Sequence, residues 1–126
     1  MTSDPRLRTR ATELFGVDVP LVQTGMGWVA GPSLVSATAE AGALGILAAA
    51  TLSFEEMVAA IDEIRRRTDR PFGVNLRTDA DDVDRRVDHL IRAGVRVASF
   101  AQAPRRDLVG RLQEAGLVVV PTIGAR

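Results

Sequence analysis

Short apolar runs alternate along this chain with longer segments in which apolar residues recur every three or four positions. The short runs are hydrophobic on both faces, which is typical of strands in a buried parallel sheet. The longer segments have the period of amphipathic helices. We therefore predict strands over residues 21–23, 44–47, 72–76, 95–100 and 117–120.

The predicted helices carry start and stop signals. The first covers Pro5 to Phe15, and Pro32 suits the first turn of the second. Ser53-Phe54-Glu55-Glu56 has the pattern of a capping box and opens the third. Thr78-Asp79-Ala80-Asp81 opens the fourth and Pro104 the fifth, whose predicted inward residues are Leu108, Leu112 and Ala115.

Three of these helices end in Ala-Gly, and each is followed within a few residues by a strand. This βα repeat predicts an α/β fold with parallel strands and right-handed crossovers. Two architectures fit it: a five-stranded doubly wound sheet, and part of a TIM (β/α)8 barrel, which needs about 250 residues. The last residues follow a strand and include no helix to cover it. We therefore expect residues 1–126 to be the N-terminal portion of a single barrel domain, apparently truncated.

Composition narrows the function classes. The chain has 16 basic and 16 acidic residues, so charge favours neither nucleic acid nor a membrane surface as a partner. Every basic residue is Arg, which excludes lysine chemistry, and the absence of Cys excludes thiolate chemistry. The N-terminal residues lack the apolar segment of a signal peptide, and the longest apolar run, Ala41 to Leu52, is too short to span a bilayer. We expect a cytoplasmic protein.

The segment Gly25–Gly31 follows the first strand and has part of the glycine pattern of a dinucleotide-binding turn. Three observations argue against that interpretation. Pro32 places the helix start after the last glycine, whereas the dinucleotide pattern begins its helix within the glycines. The second strand ends in Ala48-Ala49-Ala50-Thr51, without the acid that binds ribose. Trp28 is a bulky ring, which we expect to crowd the loop.

The alternative is a flat, backbone-lined surface at the carboxyl end of the first strand, which we call the glycine shelf (Gly25-Met26-Gly27). Gly25 and Gly27 allow a flat ligand to approach the main chain, and Met26 offers a backbone amide and an adaptable side chain. The competing structural explanation is a glycine-rich turn in which Met26 and Trp28 fill the core.

Asn75 favours the ligand site. Successive side chains of a strand point to opposite faces, so in the third strand Gly73 and Asn75 share one face and Phe72, Val74 and Leu76 share the other. A buried Asn is costly unless both ends of its amide are satisfied, and here it can give a donor and an acceptor to a heteroaromatic ring. The structural alternative is an Asn that caps the loop after the strand.

Three motifs in order carry a family resemblance: Pro20-Leu21-Val22-Gln23-x-Gly25-Met26-Gly27, Ala39-Glu40-Ala41-Gly42-Ala43-Leu44-Gly45, and Thr68-Asp69-Arg70-Pro71-Phe72-Gly73-Val74-Asn75. Together they resemble the FMN-dependent nitronate monooxygenase family. The resemblance implies a TIM barrel with FMN at its carboxyl-end mouth, beside Gly25, Met26, Gly27 and Asn75. It also implies oxidation of alkyl nitronates with O2, in which the flavin and oxygen carry the redox chemistry.

Related functions stay open. The Gly-Met-x-Trp-Val-Ala pattern is similar to that of FMN-dependent enoyl-ACP reductases, and the whole stretch is similar to an actinobacterial branch that hydroxylates CoA-linked steroid fragments. The substrate is then a small molecule, either a nitronate or an acyl thioester, and homo-oligomerisation is left open. The alternatives of another class are a non-catalytic truncated remnant that needs an assembly partner, and a flavodoxin-like binding module.

The resemblance places the family's catalytic His and its flavin phosphate site beyond this chain, so we predict no catalytic residue within it. The only His, His89, is expected on the helix surface. Arg77 is interpreted as a solvated loop residue, with an anion contact as the alternative, and Ser99 either lines the mouth or fills the core. We predict no metal site, because the acidic cluster from Asp79 to Asp88 alternates with Arg85 and Arg86 on an exposed helix face.

Overall fold

The sheet follows the order of the chain. The structure is a computed structural model that describes residues 4–124. Its strands are all parallel and lie side by side in the order β1-β2-β3-β4-β5. They span Val22–Gln23 (β1), Leu44–Ala48 (β2), Gly73–Leu76 (β3), Val97–Phe100 (β4) and Val118–Pro121 (β5). A doubly wound sheet reverses its order at a switch point. The uninterrupted order is that of a barrel, so the flavodoxin-like alternative is wrong.

In the part of the chain that the structure describes, five α-helices connect or precede the strands. They span Arg10–Phe15 (α1), Pro32–Glu40 (α2), Phe54–Arg67 (α3), Val83–Ala93 (α4) and Arg106–Glu114 (α5), with short 3-10 turns at Pro5–Leu7 and Ala49–Thr51. The capping box at Ser53 is confirmed, since the Ser53 hydroxyl accepts from the Glu56 amide and the Glu56 carboxylate accepts from the Ser53 amide. Among residues 4–124, no helix has the combined length and hydrophobicity that crossing a bilayer requires.

The core lies on one face of the sheet. Helices α2 to α5 all contribute to a single apolar cluster with the outward side chains of the strands, including Leu47, Val74 and Phe100. The opposite face carries a smaller cluster of Leu44, Ile46 and Val97, against which Phe15, Val17 and Val118 pack. The helices therefore cover one side of the sheet only, and the short α1 closes the amino-terminal end of the other side, as the N-terminal part of a TIM barrel requires.

Several predicted boundaries are wrong for local reasons. The first predicted helix is divided, because Thr9 caps α1 and separates it from the 3-10 turn. Helix α4 begins at Val83 and not near Thr78, since the Thr78 hydroxyl donates to Gln102 and the Asp79 carboxylate pairs with an arginine. Helix α5 begins two residues after Pro104. The predicted inward side chain of Ala115 is exposed, because the helix has ended one residue earlier.

Candidate functional site

Gly25 and Asn75 meet at the carboxyl ends of the strands. A Cβ added to Gly25 would lie 2.7 Å from the Cβ of Asn75, closer than real Cβ contacts allow. The main chain after β1 therefore rests directly on the side chain from β3, and only glycine permits this approach. The structure thus brings together two of the residues that the sequence singled out.

Ser99 hydrogen-bonds to the Asn75 amide. The two residues face each other in the register of β3 and β4, and the Ser99 hydroxyl donates to Oδ1 of Asn75 at 2.9 Å. Ser99 is buried and Asn75 is partly buried. In this arrangement Nδ2 of Asn75 is the end of the amide that can donate to another group. Ser99 is therefore more than a core filler, because it supports the side chain of Asn75.

Gln23 is a site candidate that sequence reasoning missed. Its Nε2 donates to the main-chain oxygens of Thr24 at 2.5 Å and Ile46 at 3.1 Å, and these two bonds fix which end of the amide is the nitrogen. Its Oε1 is buried and has no partner in the described part of the chain. An unpaired buried acceptor is costly, which marks it as a contact for a ligand donor. In the sequence, the polar side chain of Gln23 within a short apolar strand is the feature that could have identified it.

The side chains of Met26, within the glycine shelf, and Trp28, just after it, point away from the core. Met26 is 40% exposed and Trp28 is 91% exposed, so the explanation that they fill the core is wrong. Trp28 has a left-handed backbone conformation, with φ at 60°, which turns its indole into solvent. The expectation that the ring crowds the loop is wrong for the same reason. The helix start at Pro32 is confirmed, so that objection to a dinucleotide site stands.

Gly27 also lies against a neighbouring loop. A Cβ added to Gly27 would lie 3.2 Å from the methyl carbon Cγ2 of Thr51, in the 3-10 turn after β2. The Ala48 amide donates to the Ala30 carbonyl at 3.0 Å and joins the two loops further along. The shelf is thus supported from β2 on one side and meets Asn75 of β3 at Gly25, which gives it a fixed position.

The charged residues near this edge are mutually paired. Arg77 makes a two-pronged contact with Asp79, with Nε to Oδ1 at 2.9 Å and Nη2 to Oδ2 at 2.7 Å. The contact holds the pKa of the Asp79 carboxyl below its usual range. Further along, Asp84 contacts Arg105, which immediately precedes α5, and Arg111 on α5. Most of the acidic cluster is therefore engaged in ion pairs, and residues 4–124 contain no group of three or more His, Cys, Asp or Glu side chains placed to hold a metal.

Two predictions about α4 need correction. Arg86 is not on a solvated face: it is 8% exposed and its guanidinium donates to the carbonyls of Ala49 and Leu52. His89 is partly buried, with its ring edge-on to Phe54 at a centroid distance of 5.8 Å and its Nε2 buried without a partner among the described residues. Burial lowers the pKa of His89 below its ordinary value. Both side chains turn toward α3 and its preceding loop, which periodicity on α4 alone did not reveal.

Comparison with known proteins gives the family. The chain matches the sequence model of the nitronate monooxygenase family over residues 8–86, which is more than half its length. The chain belongs to that family. The nitronate monooxygenase of Pseudomonas aeruginosa is 42% identical over 67 residues, which are 53% of this chain and 19% of that protein. Membership makes this chain part of an oxidoreductase family.

Other relatives of this nitronate monooxygenase family member are more similar over a longer stretch. The (3aS,4S,5R,7aS)-5-hydroxy-7a-methyl-1-oxo-octahydro-1H-indene-4-carboxyl-CoA dehydrogenase of Mycobacterium tuberculosis is 62% identical over 120 residues. Its counterpart in Rhodococcus jostii is 60% identical over 119 residues. These matches cover 95% and 94% of this chain, and the chain spans 34% of the length of each relative.

Solved structures agree on the fold. FabK from Thermotoga maritima superposes with a TM-score of 0.89 at 34% identity, covering 94% of this chain and 38% of FabK. A nitroalkane oxidase from Streptomyces ansochromogenes superposes with a TM-score of 0.79 at 30% identity, covering 91% and 42%. The five strands of this family member therefore correspond to the N-terminal part of a TIM barrel.

Proposed function

We propose that this chain forms the part of an FMN-dependent oxidoreductase that holds the flavin ring. The observation that carries the proposal is the approach of Gly25 to Asn75, because it creates a flat surface next to an oriented amide. Gly25, Met26 and Gly27 would lie along the ring, and Asn75 would bind its polar edge. Bound flavin supplies the ability to accept electrons from a substrate.

The polar atoms of the site suit a ring with mixed hydrogen-bonding character. Asn75 offers a donor, since its oxygen already accepts from Ser99, and Gln23 offers a buried acceptor. The polar edge of a flavin ring alternates carbonyl acceptors with an N–H donor. One donor and one acceptor from the protein therefore match it, and ligand binding would remove the cost of the unpaired Gln23 oxygen.

For the substrate, we infer a CoA thioester of a bicyclic carboxylic acid. The support is the 62% identity, over almost the whole chain, to a dehydrogenase whose name specifies such a thioester. The motifs of the family resemblance instead favour an alkyl nitronate. That remains the second candidate, and it is supported by the family match over residues 8–86 and by the relative from Pseudomonas aeruginosa.

The ring site is tested by flavin fluorescence quenching with two ligands, FMN and lumiflavin, which is the ring without ribityl phosphate. We expect both to bind with comparable affinity, because the proposed contacts involve the ring alone. Replacing Asn75 by Asp removes the donor and should weaken lumiflavin about tenfold, the equivalent of one hydrogen bond. Gly25→Ala should also weaken it, since the added methyl displaces Asn75.

Gly31→Ala is the matched control, because a Cβ added to Gly31 meets none of the described residues within 4 Å and the backbone there has a negative φ. It should bind lumiflavin like the unaltered protein. If Gly25→Ala binds as tightly as Gly31→Ala, the proposed ring site is wrong. A protein that binds neither flavin would support the alternative of a non-catalytic chain.

The substrate is tested separately with the flavin-loaded protein. Because we predict no catalytic residue within this chain, the readout is binding: the shift of the flavin absorbance is recorded after addition of a bicyclic carboxyl-CoA, an enoyl thioester or an alkyl nitronate. We expect a saturable shift with the bicyclic thioester. A shift with the nitronate alone would support the second candidate, and a shift with the enoyl thioester alone would indicate the reductase alternative.

A further inference from the structure

An apolar groove lies beside the glycine shelf, on the helix side of the sheet. It runs between the loop after β1, the 3-10 turn after β2 and the first turns of α3, and its volume is about 470 Å³. Ligand pockets for small molecules commonly have volumes of about 300 to 1,000 Å³. We call it the Trp28 groove; the residues used below to describe it are Trp28, Val29, Pro32, Thr51, Glu56 and Ala59.

Trp28 stands at the rim of this groove in a costly conformation. It is the one residue other than glycine with a positive φ in the described part of the chain. For a bulky residue such a conformation costs about 1–3 kcal/mol and persists only where the surroundings impose it. Here the Met26 carbonyl accepts from the amides of Val29 and Ala30 at 3.1 and 2.8 Å, which closes a tight turn around Trp28.

The turn exposes apolar surface that folding normally buries. The indole of Trp28 is 91% exposed, and Val29 beside it is 62% exposed. The Trp28 ring is exposed to water and its backbone is strained, so the ring does not stabilise the fold. The ring is therefore positioned for contact with something outside the described chain.

The charge of the groove restricts what that contact is. Among residues 4–124, Glu56 is the one ionisable residue of its lining, and its carboxylate accepts a hydrogen bond at 2.9 Å from the Ser53 amide in the capping box. No cationic side chain of the described residues lines the groove to attract an anion, and the carboxylate of Glu56 already accepts the Ser53 bond. A neutral, apolar group fits this lining best, because burying a charge without a partner is costly.

The groove is continuous with the glycine shelf. Thr51 lines the groove, and its methyl group is also the neighbour of Gly27, 3.2 Å from the position of an added Cβ. A small molecule that reacts at the shelf can therefore extend its apolar part past Thr51 into the groove without leaving the protein surface.

We propose that the Trp28 groove binds the neutral, alicyclic part of a small-molecule ligand, with the Trp28 indole as one wall. The inference rests on the proposed function in one respect, since it gives the ring system of the substrate a place next to the flavin. Binding of the ring system itself requires no flavin, so the two proposals can fail independently.

Trp28 is the only tryptophan, so its fluorescence reports on the groove directly. The probe is hydrindanol, a neutral fused bicyclic alcohol that is transparent where indole absorbs. We expect saturable binding with a blue shift of the Trp28 emission. Cyclohexanecarboxylate, an apolar ring that carries a charge, should bind more weakly.

The variant Ala59→Arg places a charged side chain in the groove wall at an exposed position of α3. It should weaken hydrindanol at least about tenfold, since the apolar contact surface is lost. Ala37→Arg on α2 is the matched control, because Ala37 is also exposed but does not line the groove. The affinity of this variant for hydrindanol should equal that of the unaltered protein. Equal affinities of the two variants would overturn the proposal.

Two further measurements complete the test. Trp28→Gly, followed by calorimetry, should abolish hydrindanol binding while the urea midpoint does not fall, because glycine adopts the left-handed conformation without strain. An emission maximum that shifts with protein concentration before any probe is added would mean that a second copy covers the groove, and would overturn the proposal. Gly25→Ala should leave hydrindanol binding intact, so loss of flavin binding alone refutes only the ring site.

Discussion

Arg86 connects α4 to the turn that supports the glycine shelf, and its removal is a strong test of how the shelf is held. The guanidinium donates to the carbonyls of Ala49 at 2.8 Å and Leu52 at 2.6 Å, and its Nε lies 2.9 Å from both carboxylate oxygens of Asp82. Arg86→Met keeps the approximate length of the side chain but removes every donor. It leaves two carbonyls and one carboxylate without their partner.

The expected loss in the free energy of unfolding follows from these contacts. A hydrogen bond to a charged group contributes about 1.5–3 kcal/mol, and breaking a buried ion pair from one side costs about 3–5 kcal/mol. The Ala49 contact is buried and the other two are partly buried, so we expect a loss of about 3 kcal/mol in the free energy of unfolding. With a urea dependence of about 2 kcal/mol per molar, the unfolding midpoint falls by about 1.5 M.

The assay is urea unfolding followed by far-ultraviolet circular dichroism. Arg92→Met is the matched control, because Arg92 is an exposed arginine on the same helix and its loss should cost less than about 0.5 kcal/mol. Arg86→Lys keeps the charge but not the planar set of donors, so its unfolding midpoint should lie between those of the two methionine variants. It replaces Arg86→Met in the comparison if that variant does not fold. Equal midpoints for Arg86→Met and Arg92→Met would refute the reasoning.

Three further predictions concern packing and pH. Gly45→Ala should destabilise the chain by roughly 1–3 kcal/mol, since the added Cβ would lie 2.6 Å from the main-chain oxygen of Val35. To relieve this clash, β2 and α2 would have to move apart, and their core packing would be lost. Gly110→Ala, in open space within α5, should stabilise the chain by about 0.5–1 kcal/mol in the same urea experiment. If the two variants shift the midpoint in the same direction, one of these two predictions is wrong. Because burial lowers the pKa of His89 in the folded state, protonation favours unfolding: stability is complete above the ordinary value of 6.5 and is lost as the pH falls from there through the folded pKa. His89→Gln should remove that loss in urea midpoints measured across this range, and an unchanged pH dependence in the variant would show that another group is responsible.

Local signals predicted the parts of the fold that local contacts determine. The capping box at Ser53 needs only residues within one turn, and it forms as expected. Gly94 ends α4 in a left-handed conformation, with φ at 65°, and this too is a short-range preference. The parallel strands followed from apolar runs, although β4 begins at Val97 and not at Val95, since boundaries depend on pairing with neighbours.

Long-range contacts determined what the sequence did not reveal. The hydroxyl of Thr78 caps no helix because it donates to Gln102, which follows β4. Arg86 looks like any surface arginine until α4 is packed beside the turn after β2. For the site, glycine spacing and strand period selected Gly25 and Asn75. The hydrogen bond from Ser99 depends on the β3–β4 register, which no sequence pattern specified.

The order of the strands has a consequence for how this chain folds. Each strand pairs with the strand made just before it, and every pairing joins two strands that are separated by a loop and a helix. Such parallel pairings form slowly, because loop entropy is lost before the contacts form. Each new strand can still dock on the one before it without waiting for strands that are made later. At every stage β1 and the newest strand are the open edges of the sheet, so a pause in translation exposes both edges to other chains.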